Sequence, residues 1–426
     1  MAAILFRISD DSPRILNPRI SILCLAAPLL YAQEPGEVVK KSPIALLPNG
    51  SVLHGVLLPR YDAQRRLVGD LKTEKMTLID GDRVQGEDVL IRFYNPDRSL
   101  SGRVELARAL FDQKKSSLSA RQDVKLTRDR LTATGGGLVY SFATGDGFLI
   151  GPVSTRLSPP APSTSMNMHP LTFPAAALLA FAPAILPAAP PAFVTPEEFA
   201  EIKAAAESSK PEIDAANQSA SAELSADREA SSKASDAATA FMRKNNIKLI
   251  ANNPKADEEA KPLDIKPGPQ DTVIDCDGGM FFDANEGVLV YLKNVRVTDP
   301  RFTLSGASEL KIFFDKKPDD KTAKEGKGVG PAANFGDVKK LIATGAVRIL
   351  QKSVGGKEPV EASGGLLTYN IKSREIIISG GFPWVQQGKF FARAKEPNLT
   401  LRLLNDGSFS TRGNWQMGGN LNLNGE

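Results

Sequence analysis

The chain has 426 residues, of which 42% are hydrophobic and 24% charged, which is enough for about two or three domains, each burying an ordinary core. Its 53 Lys and Arg against 49 Asp and Glu leave a net charge of +4, too weak to argue for a nucleic-acid partner, although a bias of this sign suits contact with anionic lipid headgroups. With two histidines and two cysteines, one of them (Cys24) in an apolar run expected to be removed, the chain has neither a disulfide framework nor a side-chain zinc site.

The beginning reads as a secretory signal, 1–32. Arg7, Arg14 and Arg19 precede an apolar run over 20–32 that ends Leu30-Tyr31-Ala32. The run falls short of the ~20 residues that a spanning helix takes. Cleavage is expected after Ala32, with an uncleaved inner-membrane anchor as the alternative. Leu23 stands where a lipoprotein site at Cys24 needs a small residue.

From 44 to 157 the chain alternates aliphatic and polar residues between turn signals such as Pro48-Asn49-Gly50, Asn95-Pro96-Asp97 and Gly145-Asp146-Gly147, the pattern of strands and hairpins. A Pro/Ala-rich apolar segment comes next, over 158–194. Met166-Asn167-Met168 before its apolar core suggests an internal secretion signal, and its many prolines suggest a linker; the prolines also argue against a membrane helix. Thr195-Pro196-Glu197-Glu198 then supplies an N-cap, a first-turn proline and a Glu for a capping box. The stretch from there to 245 is rich in Ala, Ser, Glu and Lys, and reads as an exposed helical spacer. Residues 246–270 read as a flexible lead-in. Strand patterning resumes over 271–424, interrupted by a charged, glycine-rich stretch over 316–330 that reads as a solvated hairpin loop.

A short unit recurs across these stretches. Phe111-Asp112 is followed by Val124-Lys125-Leu126 and Leu131-Thr132-Ala133-Thr134-Gly135; Phe282-Asp283 is followed by Val295-Arg296-Val297 and Phe302-Thr303-Leu304-Ser305-Gly306, with every offset from the Asp preserved. Such self-similarity marks units that bury their apolar faces by stacking on their neighbours.

The second β stretch resembles the OstA/LptA family of periplasmic lipopolysaccharide-transport proteins. The resemblance lies in Gly279-Met280-Phe281-Phe282-Asp283, Lys293-Asn294-Val295-Arg296-Val297-Thr298-Asp299-Pro300, Thr344-Gly345-Ala346-Val347-Arg348-Ile349, Ala362-Ser363-Gly364-Gly365-Leu366-Leu367-Thr368-Tyr369-Asn370 and Ile378-Ser379-Gly380-Gly381-Phe382-Pro383. The first stretch is similar to the LptC-type relative through Tyr61-Asp62, Phe111-Asp112, the segment 133–140 and Gly151-Pro152-Val153. The expected fold is mainly β: two open β-jellyroll modules of stacked short antiparallel strands, joined by an Ala/Pro-rich and helical linker.

No nucleophile elbow, phosphate loop or His-based metal motif appears, so an enzyme is not expected, and neither is a cofactor or metal. A carbohydrate-acting enzyme lacks a visible carboxylate pair. Asp275-Cys276-Asp277-Gly278 lacks the later ligands of a calcium loop and reads as a capped turn entering a strand, with Cys276 as a small hydrophobe.

Alternation puts one set of aliphatic residues on a common face, opposite Lys125, Arg296 and Arg348. The groove-facing candidates are Val124, Leu126, Val288, Val290, Val295, Val297, Val347, Ile349, Ile376 and Ile378. Their plain reading is a core between two sheets; the resemblance implies a groove for acyl chains. At about 0.8 kcal/mol per methylene, a chain of roughly a dozen carbons costs on the order of 10 kcal/mol in water, which favours an extended cavity over a surface patch.

The resemblance implies an exported, periplasmic lipopolysaccharide bridge that passes lipid toward the outer membrane. Its implied partners are lipopolysaccharide, other Lpt-type envelope proteins reached by edge-strand pairing, and the inner membrane. The alternative is a structural envelope β-repeat protein that carries no lipid.

Overall fold

The computed structural model describes residues 47–61, 65–95, 97–128, 130–159, 224–249, 267–316, 335–353 and 356–419. The expected export signal, the apolar segment over 160–194, the Thr195-Pro196 helix start, the lead-in from 250 to 266 and the glycine-rich loop over 317–334 lie outside the described residues.

The alternating stretches form antiparallel strands, as their patterning predicts. β1 (Val52–Tyr61), β2 (Leu67–Leu78), β3 (Arg83–Tyr94) and β4 (Leu100–Asp112) make a meander. The next two strands are short and divide β4 between them. β5 (Ser117–Ala120) pairs with its end, Leu110 to Asp112, and β6 (Val124–Arg128) with its first half, Arg103 to Leu106. β7 (Leu131–Ser141) crosses both, and β8 (Asp146–Leu157) lies along β7. Long strands thus run from one leg of the fold to the other, while short ones fill half a position on each leg. This is the construction of a jellyroll.

β9 (Thr272–Cys276) and β10 (Gly279–Asp283) repeat the device on the far side of β8. β9 takes the Val153 to Leu157 half of β8 and β10 the Asp146 to Ile150 half, with five residue pairs each. The two β stretches therefore join directly, strand to strand, where the sequence suggested modules held together by a linker. The meander continues through β11 (Val288–Thr298), β12 (Phe302–Lys316), β13 (Phe335–Gln351) and β14 (Val360–Asn370). β15 (Glu375–Ser379) and β16 (Trp384–Gln387) then divide β14. β18 (Thr400–Leu403) and β19 (Phe409–Thr411) extend one leg beyond β15; β17 (Phe390–Ala394) and β20 (Trp415–Gly418) extend the other beyond β16. Among the described residues all 20 strands belong to one sheet.

The recurring sequence unit now has a physical meaning. Its Phe-Asp closes a strand at the tip of one leg: the phenyl ring enters the core, and the carboxylate ties the hairpin. Asp112 Oδ1 accepts from the Lys115 amide, and Asp283 Oδ1 from the amides of Asn285 and Glu286. Asn370, after Tyr369, does the same for Lys372. The closing glycine of the unit marks the corner between legs, where the pairing register shifts. Gly135 sits at the shift in β7 and Gly306 at the shift in β12. At Gly306 the backbone has φ +72°, and a Cβ there would stand 2.2 Å from the Ala346 carbonyl oxygen, so only glycine fits.

One helix, α1, runs over 224–244. Residues 234–244 belong to the same compact unit as the strands, whereas 224–233 belong to a second unit. Ala234, Ala238 and Phe241 are buried against Phe148, Phe281, Val288, Val290 and Leu292 on the outer face of β8, β10 and β11. The small residues let the helix approach closely, and the Phe241 and Phe281 rings lie 5.6 Å apart. From Ala234 on, the expected exposed spacer is a cover for the sheet. Beneath its edge Ser235 Oγ donates to Glu309 Oε2 at 2.7 Å, and Glu309 pairs with the buried ammonium of Lys311. Lys311 also donates to Thr344 Oγ1 at 3.2 Å.

Candidate functional site

Between the two legs lies one apolar cluster that runs unbroken from β1 to β18. Each strand contributes every second residue to it, as a two-residue period requires. Of the sequence candidates, Val124, Leu126, Val295, Val297, Val347, Ile349, Ile376 and Ile378 all fall in this interior. Val288 and Val290 do not: they point outward, under α1, and their neighbours Leu289 and Tyr291 point inward. The run 287–292 is apolar on both faces, so its own pattern cannot choose between them. The choice is nonetheless encoded, since counting back by twos from Val295 and Val297 reaches Tyr291 and Leu289. Lys293 and Asn294, at φ +62° and +48°, form a two-residue bulge that preserves the parity.

Sequence reasoning also missed the aromatic members. Tyr140 stacks on Phe282 at 6.1 Å across the junction of the two β stretches, and Phe142 meets Tyr140 edge-on at 5.0 Å. Tyr140 and Tyr291 are almost wholly out of water, and burial pushes both phenols up from their ordinary range. Among the described residues the Tyr140 hydroxyl finds no hydrogen-bond partner. Both phenols are therefore neutral at neutral pH, and the charge on the inward face of β6 is the buried Arg128, which follows Val124 and Leu126.

Cys276 lies within the same cluster. Burial pushes its thiol up to about 11, and its Sγ donates to the Gly279 carbonyl at 3.2 Å, so it stays a protonated, unreactive thiol. Asp277 beside it accepts from Asn294 Nδ2 at 2.9 Å and faces Arg296 at 3.3 Å, which makes the segment the capped turn expected from its sequence. Among the described residues no three His, Cys, Asp or Glu side chains gather as metal ligands do.

The interior has a mouth at the first end of the sheet and meets facing aromatic rings at the second. At the first, a cavity of about 340 Å³ opens between Leu58, Leu71, Met76, Val84, Phe111 and Phe142, with Arg60 at its rim. At the second, Phe390 on β17 and Phe409 on β19 face each other across the legs with ring centroids 5.5 Å apart. Trp415 packs against the interior beside them, while Met417 on the same strand is exposed. Both ends also carry open edges: among the described residues β1 pairs only with β2, β19 only with β18 and β20 only with β17.

Two legs of antiparallel strands facing each other across a continuous apolar interior define an open β-jellyroll. Among solved structures, one that this chain is similar to is LptH of Pseudomonas aeruginosa, described as the LptA-homologous periplasmic component of the lipopolysaccharide transport device. The two align at 16% identity over 34% of this chain and 93% of that one, with a TM-score of 0.26. No protein-family model matches the chain, and no curated protein matches it significantly.

Proposed function

We propose that this chain is a periplasmic carrier of lipopolysaccharide, holding acyl chains between the legs of the jellyroll and passing them toward the outer membrane. The observation that carries this reading is the single apolar interior that continues through the β8–β10 junction from β1 to β18. An acyl chain moving along it exchanges one apolar surround for another, so each step is close to neutral. Direction then has to come from an energised partner. The open edges of β1 and β20 suit strand pairing with other envelope proteins of the same construction, which would lengthen the passage. An N-terminal signal, cleaved or kept as an anchor, would deliver the chain to this compartment.

A photocrosslinking residue at Val295 or Val347, with purified lipopolysaccharide, tests the reading. Crosslinked lipid from both inward positions is expected, and none from Val290, which faces α1. A second reading, a structural envelope protein, draws on the tight filling of the interior, where Val124, Val295 and Tyr291 are all 0% exposed. An absence of inward crosslinks under conditions where an authentic carrier gives them decides for it.

A further inference from the structure

We infer that the cavity at the first mouth is a binding site for one single-chain anionic amphiphile, with Arg60 holding its acidic head; the inference deepens the carrier reading and rests on it. About 340 Å³ between the side chains is unfilled here. Sites for small ligands run from roughly 300 to 1,000 Å³, so the space suits one acyl chain at a time. Its apolar wall is made by Leu58, Leu71, Met76, Val84, Phe111 and Phe142, and the β4–β5 turn adds Gln113, Ser116 and Ser117 to the lining.

The rim is what selects the head. Arg60 lies on β1 opposite Gly69, with its guanidinium 5.5 Å above the Phe142 ring. It is half-buried, and among the described residues no carboxylate pairs with it. A cation drawn out of water without a partner is costly, and an anionic head supplies the missing charge through a forked pair of hydrogen bonds. The one carboxylate on the rim, Asp112, is already committed: it accepts from the Lys115 amide at 2.9 Å and faces the Lys115 ammonium at 3.7 Å. The glycine opposite Arg60 also leaves the guanidinium without a cross-strand side chain to crowd it.

From the mouth, Phe142, Tyr140 and Phe282 form a run of touching rings leading inward across the junction. The chain of a bound amphiphile therefore lies at the start of the continuous interior. An acidic head held by Arg60 fixes which end of the molecule stays outside.

The test uses the full chain, with laurate, dodecanol and dodecyltrimethylammonium as probes competing against a fluorescent fatty acid. Laurate is expected to bind most tightly of the three. R60Q should weaken laurate by about tenfold to a hundredfold, the worth of a charge-assisted hydrogen bond, while leaving dodecanol unchanged. R60K should restore part of the laurate affinity, and L71F should fill the cavity and weaken both. Equal affinity for all three probes, laurate binding unaltered by R60Q, or no laurate binding at all would each overturn the proposal. The yield of lipopolysaccharide crosslinks from Val295 in the same R60Q protein reads the carrier function separately, because Val295 lies on β11, beyond the cavity wall.

Discussion

Asp299 closes the β11–β12 turn with a carboxylate that is only 3% exposed. Burial alone would raise its pKa, but hydrogen bonds outweigh burial. Arg301 donates from Nε at 2.8 Å and from its amide at 3.0 Å, and Thr272 Oγ1 donates at 2.6 Å, so the group is held below its ordinary value of 3.8. A depressed folded pKa means the ionised form is favoured by folding. Its contribution is fully present above the unfolded value and is lost as pH falls from there through the folded one. Asp299→Asn is expected to destabilise the protein by about 1.5–3 kcal/mol at neutral pH, read from urea midpoints. The gap to the wild type should close below pH 3.8, and a gap that persists in acid contradicts the account. The Asp is legible in the sequence as a turn residue before Pro300. That it also ties down β9, through Thr272, is a non-local contact that no spacing records.

Among the elements, α1 shows what patterning conveys and what it omits. Its composition, rich in Ala and poor in large apolar residues, reads correctly as helix and misleads on burial. Ala234 and Ala238 bury little surface themselves, yet they bring Phe241 down onto Phe281. Phe241→Ala is expected to cost about 3–5 kcal/mol and to increase binding of a hydrophobic dye, because Phe148, Phe281 and Val290 lose their cover. An unchanged unfolding midpoint would mean that the helix is only loosely laid on the sheet. The strands tell the opposite story. Period-two alternation places Val124, Leu126 and Val347 correctly, where Lys125 and Arg348 make the outer face polar. It fails at Val288 and Val290, where the helix makes the outer face apolar too. The ambiguity in the sequence is thus a direct consequence of α1, since a strand covered on both sides has no polar phase to read.

At the scale of the whole molecule, the junction at β8 decides whether there are two bodies or one. β8 is a single strand divided between β9 and β10, with five register pairs on each leg. Its side chains Leu149 and Val153 join the same interior as Met280 and Ile274. Neither β stretch can unfold without baring an edge of the other and the apolar residues behind it. The jellyroll is therefore expected to melt in a single transition, with calorimetric and van't Hoff enthalpies that agree, although its length would suggest separate domains. The sequence conveys the repeat on either side of the junction but not this union, because the segments that pair are separated by the whole stretch from 158 to 271. Phe281→Pro should uncouple the halves: proline removes a donor from the middle of β10, where the strand pairs with Phe148 on one side and Val290 on the other. The single transition should then divide in two, and lipid crosslinks from Val347 should fall if cargo enters at the first mouth and has to pass the junction. Two transitions already present in the wild type would instead mean that the two halves carry separate cores, and the continuous passage through β8 would lose its physical basis.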